Sequence, residues 1–439
     1  MTREPLVDVA RLSNGLRVVL APGPHLHRTA VACLTQVGAR YEDASNAGLS
    51  HFLEHMLHRG TPSYPSAHAL ASQIEGMGAS LDAATGVDRG SLVVTTPPEN
   101  TLDAIEVLGE VLEHPLFCDL EVERGIVHEE LLEDRDDRGR LIDPDGIVRS
   151  LVFGEHPLGF PIVGTPATLK RFSVPMLRAH HERHYTTETT VVAVAGKLPS
   201  RPRLLRTLER AFARRPRGGR LVPAPFRVNP PAATAAAPIS ITRSHSSQAS
   251  LRVACVAPGR KDKSAPAAEL LIRLVDDGNA TRLYERLCDR RGLCYEVSAG
   301  YEAYDETGLF DVAAESNEGA ITEVLTEVLG MLGDFAKEGP SQAEIDRALA
   351  RARWQAERSL DQPEHAAENG ALGVLADEPL TAFGRAERLA RCSRTALRSL
   401  ARRMFRPDRL RIAVVGSVSR STAKQLESIA ERYASAYPS

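Results

Sequence analysis

The residues best suited to do chemistry lie in one short segment, His51-Phe-Leu-Glu-His55. On a helix, residues i and i+4 share one face, so the two histidines can bind one metal ion from the same side. Glu54 lies at the edge of that face, where its carboxylate could take a proton from a metal-bound water. The order H-x-x-E-H inverts the commoner H-E-x-x-H zinc motif. The segment therefore predicts a metal site, with solvated histidines on an amphipathic helix as the alternative.

A catalytic zinc site needs a third protein ligand, and acidic candidates lie in the segment 120–134. Glu123 and Glu130 are seven residues apart, two helical turns, and so share one face of a helix. Such a pair could supply one ligand and one carboxylate that orients a ligand histidine. Other acidic residues of the segment fit a charged, solvated helix side: Glu121, Glu129, Glu133 and Asp134.

The elements that must position these residues form a mixed set of helices and strands. Apolar residues at helical spacing predict a packed metal helix over 48–57. Runs of β-branched and apolar residues predict strands at 16–20, 29–37, 79–84 and 91–95. Further helices are predicted at 67–74, 101–113 and 120–135. Because helices and strands are grouped rather than strictly alternating, the predicted fold class is α+β.

The chain also contains an internal similarity at half its length. Segments 184–196 and 404–416 each have an aromatic residue, a polar turn, an apolar run and a glycine. Similarity at this spacing predicts two like domains in tandem. The segment 215–246 is rich in Pro and Ala, as exposed connectors are. We therefore predict a first domain over 1–214, a linker over 215–246 and a second domain over 247–439.

Only the first domain is predicted to bind metal. Shifting the metal helix by the 220-residue offset places it on Leu271, Leu274 and Val275, and the sequence has no second H-x-x-E-H. One metal site per chain is the prediction.

Composition disfavours several other functions. Lys and Arg number 54 against 57 Asp and Glu, a formal net charge of −3, so there is no strong field to attract nucleic acid or a membrane. Aromatic residues are only 5%, which disfavours a base-stacking surface. The sequence has no apolar stretch of membrane-spanning length, no signal-like N-terminal run, and six scattered cysteines. These features predict a cytoplasmic protein with reduced thiols.

The motifs together resemble the M16 (pitrilysin-type) zinc metallopeptidases, specifically the short subfamily that includes the mitochondrial processing peptidase. That family places a ligand Glu about 75 residues after its H-x-x-E-H, and Glu130, in the segment 125–130, stands 75 residues after His55. The resemblance implies that His51, His55 and Glu130 bind one zinc ion and that Glu54 is the general base. It also assigns Glu123 to the catalytic set, as the Glu one heptad before the ligand.

Further segments extend the resemblance over nearly the whole chain. They are 60–64, 156–164 and 184–196 in the first half, and 278–283 and 291–295 in the second. The implied architecture is two tandem homologous α/β-roll domains of the LuxS/M16-peptidase type. Each would hold a mixed, mainly antiparallel sheet with packed helices.

Two departures from the family pattern concern substrate binding. The family has an Arg seven residues before the Tyr that Tyr295 matches, but Cys288 stands there, and a thiol lacks the hydrogen-bonding fork of guanidinium. Nearby arginines are out of register: Arg282, Arg286 and Arg290. The segment 81–85 resembles the family's substrate-pairing edge strand, with Asp82 where Asn is usual. The resemblance implies Tyr295, Asp82 and Ala83 as substrate-binding residues.

The resemblance implies a zinc-dependent endopeptidase that cleaves peptides or unstructured leader segments inside a dimeric chamber. The chain could form a homodimer, or it could pair with a degenerate M16-like subunit that supplies the Arg/Tyr pair, as the loss of the Arg suggests. A non-catalytic structural subunit is the rival reading. Because such subunits usually lose the zinc set, the presence of His51, Glu54, His55 and Glu130 favours catalysis.

Overall fold

The structure is a computed structural model that describes residues 7–227, 237–378 and 381–437. The described chain forms two compact units. The first holds the residues up to Leu131, together with Phe160–Ala224 and Gln355–Arg385. The second holds Leu132–Gly159, Pro225–Trp354 and the residues from Ala386 onwards.

The first unit is built on a six-stranded sheet in the order β1-β2-β6-β3-β5-β4. Its strands are β1 (Asp8–Arg11), β2 (Arg17–Pro22), β3 (Thr29–Thr35), β4 (Ser80–Thr85), β5 (Gly90–Thr96) and β6 (Thr190–Gly196). All neighbours pair antiparallel except β2 and β6, which are parallel. Strand β4 therefore lies at an edge of this sheet.

The second unit has a five-stranded sheet in the order β7-β11-β8-β10-β9. Its strands are β7 (Ile239–Arg243), β8 (Ala249–Pro258), β9 (Val297–Ala303), β10 (Thr307–Ser316) and β11 (Arg411–Gly416). Here too one pair, β7 and β11, is parallel and the others are antiparallel. Five strands thus recur in one order and orientation, and the similar segments 184–196 and 404–416 contain the equivalent strands β6 and β11. The predicted α+β class with two like rolls is confirmed.

Sixteen helices in the described residues accompany the sheets. They are α1 (Leu49–Leu57), α2 (Ala67–Gly76), α3 (Thr101–Glu113), α4 (Leu120–Glu133), α5 (Pro144–Phe153), α6 (Pro166–Leu169), α7 (Val174–His184), α8 (Arg201–Ala211), α9 (Ala265–Val275), α10 (Arg282–Tyr284), α11 (Ile321–Lys337), α12 (Gln342–Arg358), α13 (Pro363–Leu375), α14 (Ala382–Ala390), α15 (Arg394–Met404) and α16 (Arg420–Ala436). The predicted elements near the metal motif are all present, with ends shifted by at most two residues.

Each sheet is covered on one face by a helix from the other half of the sequence. Helix α13 packs on β2, β3 and β6 of the first unit, whereas α5 packs on β8 and β11 of the second. The face under α13 is rich in alanine, which lets the helix approach closely: Ala21, Ala30, Ala32, Ala193 and Ala195. The predicted domains, 1–214 and 247–439, did not include this exchange of helices between the two halves. Residues 228–236 of the predicted linker lie outside the described residues.

The opposite face of the first sheet carries larger side chains and the helices of the metal motif. Phe52, Leu53 and Met56 of α1 are fully buried there, beside Leu92 and Val94 of β5. No helix in the described part of the chain is long and apolar enough to cross a membrane. The predicted cytoplasmic location stays a prediction.

Candidate metal centre

The H-x-x-E-H motif lies within helix α1, as the spacing of its residues predicted. Its apolar residues face the core, so His51, Glu54 and His55 are left on the remaining side of the helix. Helix α4 brings the acidic residues beside them, with Glu123, Val127 and Leu131 buried along its inner face. The alternative of solvated histidines does not hold for His51, which is buried.

The chain segments that precede α4 and follow α1 are joined to each other. The Leu116 amide donates to the Gly60 carbonyl at 3.1 Å, and the Cys118 thiol donates to the Arg59 carbonyl at 2.7 Å. Phe117 and Asp119 have positive φ angles of 54° and 56°, which are uncommon for residues other than glycine. This tight loop fixes the start of α4 against the end of α1.

Three side chains converge to form the candidate ligand set. His51 Nε2 lies 3.3 Å from His55 Nε2 and 3.4 Å from Glu130 Oε1, and His55 Nε2 lies 3.7 Å from Glu130 Oε2. Ligand atoms about 2.0–2.1 Å from a tetrahedral zinc ion stand about 3.3 Å apart, so the set fits zinc. In the described residues this is the one group of at least three His, Cys, Asp or Glu side chains close enough to hold a metal.

Glu123 orients one of these ligands rather than joining them. The His55 Nδ1–H donates to Glu123 Oε1 at 2.7 Å, which leaves Nε2 with its lone pair for a metal. Glu123 is buried and is held in turn by the guanidinium of Arg59. Glu123, predicted as part of the catalytic set, is therefore placed as a positioning residue.

The protonation states of the motif suit a metal site. Burial, together with the neighbouring His55, lowers the pKa of His51 to about 3, so its imidazole is neutral and able to bind metal near pH 7. Burial raises the pKa of the Glu54 carboxyl, although a hydrogen bond from Thr85 and the nearby His55 act in the opposite direction. A raised pKa improves a carboxylate as a general base.

The edge strand β4 ends beside Glu54, the predicted general base. The hydroxyl of Thr85, its last residue, donates to Glu54. Leu81 and Ala83 pack towards the same core as α1, while Asp82 lies on the opposite face, within electrostatic reach of Glu368 on α13. Of the two substrate-binding residues predicted on this strand, Ala83 thus faces the side of the metal motif and Asp82 does not.

The second unit holds Tyr295, the remaining residue predicted to bind substrate. Tyr295 is 97% exposed in the loop before β9, and Cys288 lies in a π-helical turn over Glu285–Asp289. The three nearby arginines are each held by a carboxylate: Arg282 by Glu344, Arg286 by Asp334 and Arg290 by Glu285. None of the three is therefore presented as an unpaired guanidinium in the place of the missing Arg.

Sequence reasoning missed Arg59 and Thr85. Arg59 lies two residues after the end of α1, so helical spacing did not place it, and its contact with Glu123 depends on how α4 packs beside α1. Thr85 carried no signal either, because its contact with Glu54 depends on how the sheet packs against α1.

Two family models match the chain. "Insulinase (Peptidase family M16)" matches residues 17–145, and "Peptidase M16 inactive domain" matches residues 171–352. Together they match more than half of the chain. The chain belongs to the M16 peptidase family.

Individual relatives agree with this assignment. An uncharacterized zinc protease of Mycobacterium leprae is 28% identical over 345 residues, covering 78% of this chain and 76% of the relative. The uncharacterized zinc protease YmxG of Bacillus subtilis is 24% identical over 409 residues, covering 90% of this chain and 95% of the relative. A crystal structure of a protease from Helicobacter pylori has the same fold, with a TM-score of 0.83, 18% identity and coverage of 94% of this chain and 100% of that chain.

Proposed function

We propose that this M16 family member is a zinc-dependent endopeptidase that hydrolyses peptides or unstructured leader segments, with Glu54 as general base. The observation that carries the proposal is the convergence of ligand atoms from His51, His55 and Glu130 within 4.8 Å of one another. Glu54 stands on the same helix as the two histidines. The relatives named as zinc proteases support the class of reaction.

In this mechanism His51, His55 and Glu130 would hold the zinc ion. When bound, zinc would supply Lewis-acid chemistry that lowers the pKa of water and polarises a carbonyl oxygen. Glu54 accepts the proton of the attacking water and returns it to the leaving amine. Thr85 orients the Glu54 carboxylate, and Glu123 with Arg59 orients His55.

The substrate is proposed to lie extended along β4. An edge strand offers unpaired backbone groups, to which an extended peptide adds as a further strand. Because β4 ends at Thr85, which contacts Glu54, a peptide bound there runs towards the general base. Binding of this kind selects extended or unfolded segments.

Two assemblies are proposed for the active form. A homodimer would enclose the substrate between two copies, whereas a heterodimer would join this zinc-bearing chain to an M16-like partner that supplies an Arg/Tyr pair. The second alternative is favoured by Cys288 and by the ion pairs that hold Arg282, Arg286 and Arg290.

The test is peptide hydrolysis by the zinc-loaded chain against a mixed library of unstructured peptides. Glu54→Gln should lower cleavage by about 10²–10⁴-fold, the usual contribution of a general base, while zinc content is unchanged. Glu129→Gln is the matched control, because this exposed carboxylate stands next to Glu130 and outside the ligand set. Cleavage that survives in Glu54→Gln would refute the assigned base.

A further inference from the structure

The start of the metal helix is capped by a carboxylate from outside the helix. Glu42 is 5% exposed; its Oε2 accepts a hydrogen bond from the Gly48 amide and its Oε1 from the Ser50 amide, both at 2.7 Å. The first N–H groups of a helix have no partner inside it, and Gly48, the N-cap residue, has no side chain to supply one. Glu42 fills this role and places negative charge at the positive end of the helix dipole.

Ser50 extends the same connection. Its Oγ accepts a hydrogen bond from the Gly38 amide at 3.1 Å and lies 3.0 Å from His180 Nε2 on α7. All three residues of this contact are buried. The first turn of α1 is therefore tied both to the segment 38–42 and to α7.

The segment 38–42 also holds the turn that follows the edge strand β4. The Arg40 amide donates to the Val87 carbonyl at 2.8 Å. Gly38, with φ of 123°, lies so close that a Cβ there would stand 2.2 Å from the Gly86 carbonyl oxygen. One short segment thus contacts the start of α1 and the end of β4, the two elements that carry Glu54 and Thr85.

We infer that Glu42 is a positioning residue whose carboxylate fixes α1 relative to the end of β4. It thereby sets the place of His51, Glu54 and His55 against a peptide on that strand. The expected change in kcat and KM rests on the proposed function. The expected change in metal affinity and ligand geometry rests on the metal site alone. In Glu42→Gln the side chain keeps one acceptor oxygen, but its NH2 group faces the second buried N–H, so a helix of only nine residues loses half of its cap.

The experiment compares Glu42→Gln with Asp43→Asn in the otherwise unchanged chain. Asp43 is the neighbouring carboxylate, but it is exposed and accepts hydrogen bonds from Ser45, not from α1. Zinc affinity is measured by competition with a chelator, and ligand geometry by the visible absorption of the Co²⁺-substituted chain. The values of kcat and KM are measured on the zinc form.

Glu42→Gln should weaken zinc binding about 10–100-fold, as loss of outer support for metal ligands does, and should shift the Co²⁺ spectrum. We expect kcat to fall more than KM rises, because Glu54 is displaced. Asp43→Asn should match the wild type. Should Glu42→Gln fail to fold, Glu42→Asp keeps the charge but draws the carboxylate back from the Gly48 and Ser50 amides, and it should shift the same readouts in the same direction.

A purely structural role would lower the unfolding midpoint of Glu42→Gln while zinc affinity, Co²⁺ spectrum and kcat stayed within about twofold of Asp43→Asn. That result would overturn the inference. A wild-type chain that binds zinc but cleaves no peptide would contradict the proposed function instead. In that case the affinity and spectral comparisons still decide the role of Glu42.

Discussion

Side chains outside the H-x-x-E-H motif determine whether its histidines can bind metal. His55 needs its Nδ1–H directed at Glu123 so that Nε2 is free, and Glu123 needs Arg59 so that a buried carboxylate is not left unpaired. Two residues beyond the ligand set, Glu123 and Arg59, therefore fix the orientation of the His55 ring. If the chain binds zinc as proposed, its affinity for the ion depends on α1, on α4 and on Arg59, two positions after the end of α1.

Buried histidines on α7 make stability depend on pH. Burial lowers the pKa of His184 and His181 to about 4, well below the ordinary value of 6.5. The folded state therefore holds these rings neutral, while the unfolded chain takes up protons below pH 6.5. Their stabilisation is present above pH 6.5 and is lost as the pH falls towards 4, at a rate of at most ~1.4 kcal/mol per pH unit for each ring.

We expect the metal-free chain to show a falling urea midpoint between pH 6.5 and 4, with a smaller fall in His184→Gln. The glutamine keeps a donor for the Gln36 carbonyl, which His184 Nδ1 contacts at 3.2 Å, but cannot take up the proton. His68→Gln, a change at an exposed histidine, is the control. An unchanged slope in His184→Gln would show that this ring does not titrate on unfolding.

How far the site could be predicted from sequence differs from residue to residue. His51, Glu54 and His55 follow from helical spacing alone, because their neighbours in space are neighbours in the chain. Residue spacing could not separate Glu130 from Glu123, since both lie on one face of α4; only the resemblance and then the structure did. Thr85 was beyond sequence reasoning, because its distance from Glu54 is set by packing between elements.

At the scale of elements, periodicity predicted which faces are apolar but not which surface each face covers. The last strand of the first sheet ends at Gly196. Helix α13 begins 167 residues later, yet it packs on that sheet. A sheet with two apolar faces needs cover on both, and the small alanines of one face accept a closely packed helix. Nothing in the local pattern of α13 identifies the sheet that it covers.

The pairing of a peptide with the edge strand β4 can be tested through the backbone of the peptide. Only every second backbone N–H of an added strand points towards its partner, while the others point away. A good peptide substrate methylated on one alternating set of backbone nitrogens should bind poorly, with KM raised about tenfold or more. The same peptide methylated on the other set should keep most of its affinity. Equal effects of the two sets would argue against pairing with β4.

At the scale of the whole molecule, duplication explains why one chain has two like folds and one metal group. The order β2-β6-β3-β5-β4 in the first sheet matches the order β7-β11-β8-β10-β9 in the second, so the two units share one strand arrangement. In the described residues only the first unit contains a group of at least three His, Cys, Asp or Glu side chains close enough to hold a metal ion. The second unit carries Tyr295, the proposed substrate-binding residue, and Cys288, which stands in the place of the family's Arg.

Cys288 provides the test of whether this chain works alone. Its π-helical turn holds a thiol where the family pattern has an Arg, and the arginines around it are already paired. If the missing guanidinium limits activity, Cys288→Arg should raise kcat/KM of the isolated, zinc-loaded chain about tenfold, equivalent to ~1.4 kcal/mol of transition-state binding. Cys288→Lys should raise it less, because an ammonium cannot form the planar two-pronged contact.

Cys288→Ser is the matched control, since it removes the thiol without adding charge. Equal activity of Cys288→Arg, Cys288→Ser and the wild type, all of them high, would mean that the chain needs no guanidinium at this position and no partner subunit of another kind. A gain in Cys288→Arg from a near-inactive wild type would instead mean that a partner subunit normally supplies this group. The same three proteins therefore decide whether a second kind of subunit is needed, and the mass of the isolated chain in solution then shows whether it forms the proposed homodimer.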